Sequence, residues 1–143
     1  MAVVQISVSL ENSPGKFLEI SEILRTERIN IRAISVADTA DMSTVRFVTD
    51  NTARTASVLK SRGFAVKETN VIAVEVPDHP GGLQAVLKPL KTANINITYF
   101  YTHLGRGGSG QPIVIVGVDK IEEAIEVLKK NWVHVFGDEI YSL

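Results

Sequence analysis

Asp78-His79-Pro80-Gly81-Gly82-Leu83 and, a little later, Ile95-Asn96-Ile97 stand in the second half of the chain. Both pieces have counterparts sixty-six positions earlier, in Asn12-Ser13-Pro14-Gly15-Lys16-Phe17 and Ile29-Asn30-Ile31. Between them the same offset aligns Phe17 with Leu83, Ile20 with Val86 and Leu24 with Leu90. Further on the offset becomes sixty-nine, pairing Asp50 with Asp119 and Leu59 with Leu128. The three extra residues of the second copy fall in the glycine-rich stretch Gly105 to Gly110. Offsets held through so many separate positions mark an internal repeat. The sequence therefore reads as two units, residues 1–69 and 70–143.

Each unit has the same element order. Val3 to Leu10 is apolar, β-branched and partly alternating, which predicts a strand. Asn12 to Gly15 is a turn, and Phe17, Ile20 and Leu24 then share one helical face. Asn30 to Thr39 and Thr44 to Thr49 are strands. Thr52 to Ser61 is a helix with Ala56 and Leu59 inward and Gly63 as its stop, and Phe64 to Glu68 is a short fourth strand. In the second unit Val71 to Val76 is a strand, and Leu83, Val86, Leu87 and Leu90 form a helical stripe interrupted by Pro89, which should kink it or remove one bond. Strands Ile97 to Leu104 and Pro112 to Val118 follow. Asp119 and Glu122 form a capping-box pair ahead of a helix that buries Ile121, Ile125 and Leu128, and Val133 to Phe136 starts the last strand.

The order βαββαβ predicts an α+β fold of two ferredoxin-like units, each a four-stranded antiparallel sheet with two helices on one face. A unit this small buries a modest core. Its bare sheet face and edges need covering, which pairing the units into a larger sheet, or pairing two chains, would provide.

Composition narrows the function. The chain has 143 residues, 45% of them apolar and 22% charged, with a formal net charge of −1. Near-neutrality argues against nucleic-acid or anionic-membrane binding through bulk charge. The absence of cysteine removes disulfides, thiolate metal sites and a cysteine nucleophile. Three histidines, His79, His103 and His134, are too few for a histidine-rich metal centre. The N-terminus lacks a basic stretch followed by an apolar run, and no run reaches membrane-span length, so the expected location is cytoplasmic.

The repeated turns admit two readings. Structurally, Asn12 or Asp78 caps the turn, Pro14 or Pro80 presets φ, and Gly15 or Gly81 allows the bend. Chemically, a turn at a helix N-terminus presents free N–H groups and a positive dipole end, which suit a carboxylate. Asn30 and Asn96 likewise either meet a ligand or end the preceding helix as left-handed caps.

Taken together, the polar-x-Pro-Gly-Gly-Leu turn, the Ile-Asn-Ile opening of the second strand and the βαββαβ order resemble an ACT domain, here two in tandem over nearly all of residues 1–143. The resemblance implies a small regulatory module that binds an amino acid or related metabolite and modulates metabolic enzymes. It places the ligand between the first turn of one domain and the start of the second strand of its neighbour. The residues carried over are Asn12, Ser13, Pro14 and Gly15 with Asn30 and Ile31 in the first unit. In the second they are Asp78, His79, Pro80, Gly81, Gly82 and Leu83 with Asn96 and Ile97. Turn N–H groups would hold a zwitterion's carboxylate, and the asparagines or nearby carbonyls would accept from its ammonium. The first unit departs from the pattern with Lys16 in place of a second glycine, which narrows or charges its pocket. Asp78 supplies a charge that Asn12 lacks, so the second site is expected to be the tighter.

The expected partners are a free amino acid, a second copy in a homodimer, and a metabolic enzyme. No cofactor, metal or catalytic residue is expected, nor an attached catalytic domain. The alternative is a regulatory protein-interaction subunit without a functional small-molecule site.

Other features distract from this reading. Gly105-Arg106-Gly107-Gly108-Ser109-Gly110 matches GxGxxG, but a strand rather than a helix follows, so it reads as a mobile hairpin loop able to close over a ligand. His79 beside Asp78 lacks a partnering nucleophile and reads as a ligand contact or polar turn residue. Tyr99 and Tyr101 share a strand face opposite Phe100 and read as packing or interface. The element order also occurs in RNA-binding RRM domains, whose third-strand aromatic pattern is missing from Thr44 to Thr49 and Pro112 to Val118.

Overall fold

The computed structural model describes residues 2–39 and 41–143. They form β1 (Val3–Glu11), α1 (Lys16–Thr26), β2 (Ile31–Asp38), β3 (Met42–Thr49), α2 (Thr52–Ser61), β4 (Ala65–Glu75), α3 (Gln84–Thr92), β5 (Ile97–Arg106), β6 (Pro112–Val118) and α4 (Ile121–Lys130). A 3₁₀ turn, Asp138–Tyr141, follows. The fold is α+β and divides into two compact units, one of Val4–Thr69 and one of Asn70–Leu143 with the residues before Val4. No helix among the described residues is long and apolar enough to cross a membrane.

In the first unit β3 pairs antiparallel with β1, from Ile6 opposite Phe47 to Glu11 opposite Met42, and with β2 on its other side. Strand alternation turns Ile6, Val8, Leu10, Val45 and Phe47 to one face, where Ile20, Ile23 and Leu24 of α1 and Ala56 and Leu59 of α2 close over them. Each fully buried aliphatic side chain contributes about 2 kcal/mol. In the second unit β6 pairs with β4 and β5, and Ile72, Val74, Val114 and Val116 meet Val86, Leu90, Ala124 and Leu128 of the two helices.

All four helices end alike. Arg28, Gly63, Asn94 and Trp132 follow α1 to α4 with φ of 57°, 86°, 57° and 64°. The next residues, Ile29, Phe64, Ile95 and Val133, donate their N–H groups back to the carbonyls of Leu24, Leu59, Leu90 and Leu128. This is the left-handed Schellman closure with an apolar residue folded under the helix. The structural reading of Asn30 and Asn96 is thereby corrected, since the left-handed residue stands two positions earlier.

Other expectations change as well. The fourth strand of the first repeat and the first of the second are one strand, β4, because Thr69-Asn70 carries neither Gly nor Pro to turn the chain. The strand expected from Val133 is reduced to one bridge, Val74 opposite Val135, flanked by Glu75 N–H to His134 O and Phe136 N–H to Ala73 O. Only four residues separate the left-handed Trp132 from Gly137, where the 3₁₀ turn begins. Six strands rather than eight are thus formed among the described residues. α3 accommodates Pro89 without ending. Ile20 and Leu24, and Val86 and Leu90, are buried as expected, but Phe17, Leu83 and Leu87 are exposed, lying toward the turn or the helix flank.

Candidate functional site

The two strand-to-helix turns differ in detail. Gly15, at φ 88°, is the N-cap of α1, and no side chain caps that helix. Gly81, at φ 84°, takes the same conformation in the second turn, but α3 starts later, with Leu83 as N-cap and again no side-chain cap. The delay comes from Gly82. A Cβ there would stand 1.9 Å from the Pro77 carbonyl oxygen, so only glycine lets the chain fold this tightly. At the equivalent place Lys16 opens α1 and reaches toward Glu19 at 3.8 Å on the surface.

Neither Asn12 nor Asp78 performs the capping its residue type suggests. Both side chains are exposed, and the backbone ties each turn instead to the β-hairpin of its own unit. Asn12 N–H donates to Asp41 O at 3.2 Å, and Asp78 N–H donates to Gln111 Oε1 at 2.9 Å. The longer second hairpin substitutes a side-chain amide for a backbone carbonyl. Within the second turn Gly82 N–H bonds His79 O and Gln84 N–H bonds Gly81 O. The N–H groups of Gly81 and Leu83 have no backbone acceptor among the described residues. His79 Nδ1–H donates to Pro80 O at 2.9 Å, a tautomer that leaves Nε2 as an acceptor toward solvent.

The starts of the second strands are built by a reciprocal clasp. Asn30 N–H bonds Asp50 Oδ1 and Asp50 N–H bonds Asn30 O, each at 3.0 Å. Asn96 N–H bonds Asp119 Oδ1 at 3.0 Å, and Asp119 N–H returns to Asn96 O at 3.2 Å. Asp119 therefore does not cap α4, whose N-cap is Lys120 with no side-chain bond, and the capping box with Glu122 does not form. In the first repeat Asn51 does cap α2, accepting from Arg54 N–H. Asn96 and Ile97 line a cleft of about 490 Å³ with Leu87, Lys91 and Lys120.

Within a unit the turn and the strand start lie at opposite ends of one helix. α3 has nine residues and is about 13 Å long, with Gly82 before its start and the Asn94–Asn96 corner beyond its end. A single amino acid does not span both in one unit. Asn12, Ser13, Pro14 and Gly15 are together, as are Asp78 to Leu83, but neither set meets the asparagine of its own repeat.

The glycine-rich stretch is a hairpin loop between β5 and β6, pinned by Arg106 to Gly110 O at 2.8 Å, Gly110 N–H to Gly107 O at 2.8 Å and Ser109 to Glu75. His103 is buried, donating Nε2–H to Ile140 O at 3.0 Å and accepting Gly105 N–H at Nδ1 at 2.8 Å. No local sequence signal points to this role, whose partner lies thirty-seven residues away. Tyr99 and Tyr101 share a face with rings 6.4 Å apart, and Gly117 leaves room for Tyr99. Phe100 faces the helix-side core. Among the described residues no group of three or more His, Asp or Glu side chains could hold a metal ion.

Comparison with known proteins gives a consistent picture. The sequence matches the ACT domain pair family over residues 1–142. The crystal structure of protein BT0572 from Bacteroides thetaiotaomicron is similar at 30% identity and TM-score 0.91, covering 100% of this chain and 98% of that one. The regulatory subunit of aspartate kinase from Thermus thermophilus, in ligand-free form, shares the fold at 13% identity and TM-score 0.62, covering 90% and 91%. That of Thermus flavus does so at 14% and 0.60, covering 90% and 92%. No curated protein matches.

Proposed function

This chain belongs to the family of ACT domain pairs, and on that premise we propose that it is a regulatory module that binds a free amino acid at its strand-to-helix turns. ACT domains are regulatory rather than catalytic modules, and the fold is shared with regulatory subunits of aspartate kinase. The observation that carries the reading is the idle chemistry of the second turn. The Asp78 side chain is exposed, caps nothing and meets no hydrogen-bond or ion-pair partner among the described residues, while the Gly81 and Leu83 N–H groups beside it have no backbone acceptor. A carboxylate acceptor and backbone donors side by side match the ammonium and carboxylate of a zwitterion. Nothing in the fold of the turn requires the charge.

The rest of the site comes from a neighbour, because Asn96 cannot reach the turn of its own unit. Phe17 and Leu83, at equivalent positions beside the two turns, are 40% and 46% exposed. That apolar rim supports a second copy as the neighbour, in a homodimer, and the assembled module would act on a metabolic enzyme. Ligand binding regulates to the extent that it favours one arrangement over another. The first turn, with Asn12, Ser13, Pro14 and Gly15, supplies the weaker site because Asn12 brings no charge.

Titration calorimetry tests the proposal. The amino acid that binds should do so with Asp78→Ala weakening the tight step by tenfold or more, about the value of a charge-assisted bond. Asn12→Ala should disturb only the weaker step. Equal effects of the two variants would contradict the assignment.

A further inference from the structure

Glu75, the last residue of β4, lines a cavity of about 220 Å³ together with Pro77, Ala85, Gln111, Trp132 and His134. It is separate from the Asp78 side chain and uses features that the turn site leaves unexplained. Trp132 is the first of these. It is 95% exposed and holds φ at 64°. The other three helix ends fill that left-handed position with Arg28, Gly63 and Asn94. A bulky side chain is disfavoured there, and this one buries almost nothing in return. The helix closure needs the left-handed backbone, but nothing in the fold needs an indole there, and a side chain kept against its conformational preference points to a role outside the fold.

The second feature is the charge. Among the described residues Glu75 is the only carboxylate lining the cavity, and no Lys or Arg lines it. The glycine-rich hairpin holds this carboxylate in place: Ser109 Oγ donates to Oε1, and a Cβ on Gly107 would come within 3.0 Å of the same atom. A carboxylate offers about four acceptor positions, so capacity remains for a ligand. Gln111 has its Oε1 committed to Asp78 N–H, which leaves its amide N–H groups as donors.

We propose that this cavity binds a small organic ammonium compound, with its N–H groups on the Glu75 carboxylate and its carbon body against the Trp132 indole. A simple amine and a zwitterion share that chemistry. Only the zwitterion would also use the donors of Gln111 and His134.

Trp132 is the single tryptophan of the chain, so its fluorescence reads the cavity directly. The full chain is titrated with propylamine, with each of the twenty amino acids, and with propionate. A saturable blue shift is expected with ammonium-bearing probes and none with propionate. A response to propylamine assigns the site to amines in general, and a response confined to amino acids assigns it to zwitterions. Glu75→Gln keeps the shape and an acceptor for Ser109, and should weaken the response about tenfold or more. Asp78→Ala should leave it unchanged, which separates this site from the turn. Calorimetry on Trp132→Gly should show weaker binding by a protein whose melting temperature has risen. The proposal is overturned if no ammonium probe gives a saturable shift, if propionate acts as strongly, if Glu75→Gln binds like the parent, or if Asp78→Ala abolishes the response.

Discussion

Asn96 and Asp119 hold each other by two bonds in opposite directions, Asn96 N–H to Asp119 Oδ1 at 3.0 Å and Asp119 N–H to Asn96 O at 3.2 Å. Asn30 and Asp50 do the same in the first repeat. The clasp joins the entry to the second strand with the entry to the second helix, and it explains why both residue types recur. Asp119→Ala removes the side-chain half of the clasp at an exposed position and should cost about 1 kcal/mol in urea unfolding. Asp119→Asn keeps an oxygen acceptor and should cost about half as much. Equal losses for both variants would show that charge rather than the bond matters.

Gly81 and Gly82 are adjacent but constrained for different reasons. Gly81→Ala meets open space and bears only the cost of φ 84°, about 1 kcal/mol. Gly82→Ala drives a methyl group into backbone at 1.9 Å and should cost upwards of about 2 kcal/mol, with the turn displaced. Denaturant midpoints of the two variants check the order, and a milder effect at Gly82 would contradict it.

Much of this was legible beforehand. The shared offset located both turns, both helices of each unit and α2 to the residue, since turn chemistry and period are local signals. What was missed depends on distant partners or on residues acting against type. Asp119 reads as a cap, yet Asn96, twenty-three positions away, claims its carboxylate. Arg28 and Trp132 adopt a conformation that their side chains disfavour, because folding Ile29 and Val133 under the helix end outweighs the strain. The cradle of Glu75 by Ser109 spans thirty-four residues and has no sequence signature. The turn residues of the candidate site were visible, but not that Asp78 and Asn12 leave their helices uncapped.

His103 ties the hairpin to the C-terminal turn with both ring nitrogens. His103→Phe leaves the Ile140 carbonyl and the Gly105 N–H without these partners and should cost about 1–3 kcal/mol. Amide exchange at Gly105 and Ile140 should rise together. Unchanged exchange at both would mean that the bonds do not hold the segment.

Glu139 has its carboxyl held below the ordinary carboxylate range by the backbone N–H groups of Glu139 and Gly137, with a smaller contribution from His134. A depressed value means that the charged form helps the folded state. That help is present above the ordinary carboxylate pKa and fades as pH falls through the folded one. Acidification should therefore loosen Asp138–Tyr141, seen as faster exchange of the Ser142 amide, and Glu139→Gln should remove that pH dependence. Loosening with the same pH profile in Glu139→Gln would place its cause elsewhere.

The central claim is that the second turn takes an amino acid through Asp78, and a thermal-melt screen of the parent and Asp78→Ala against all twenty amino acids tests it most directly. At a hundred times its dissociation constant a ligand stabilises the folded state by about 2.7 kcal/mol, a shift of several degrees. The account predicts a selective shift with one or a few amino acids that is lost in Asp78→Ala. A parent protein that no amino acid stabilises, or a shift that survives intact in Asp78→Ala and also in Asp78→Ala combined with Glu75→Gln, would contradict it.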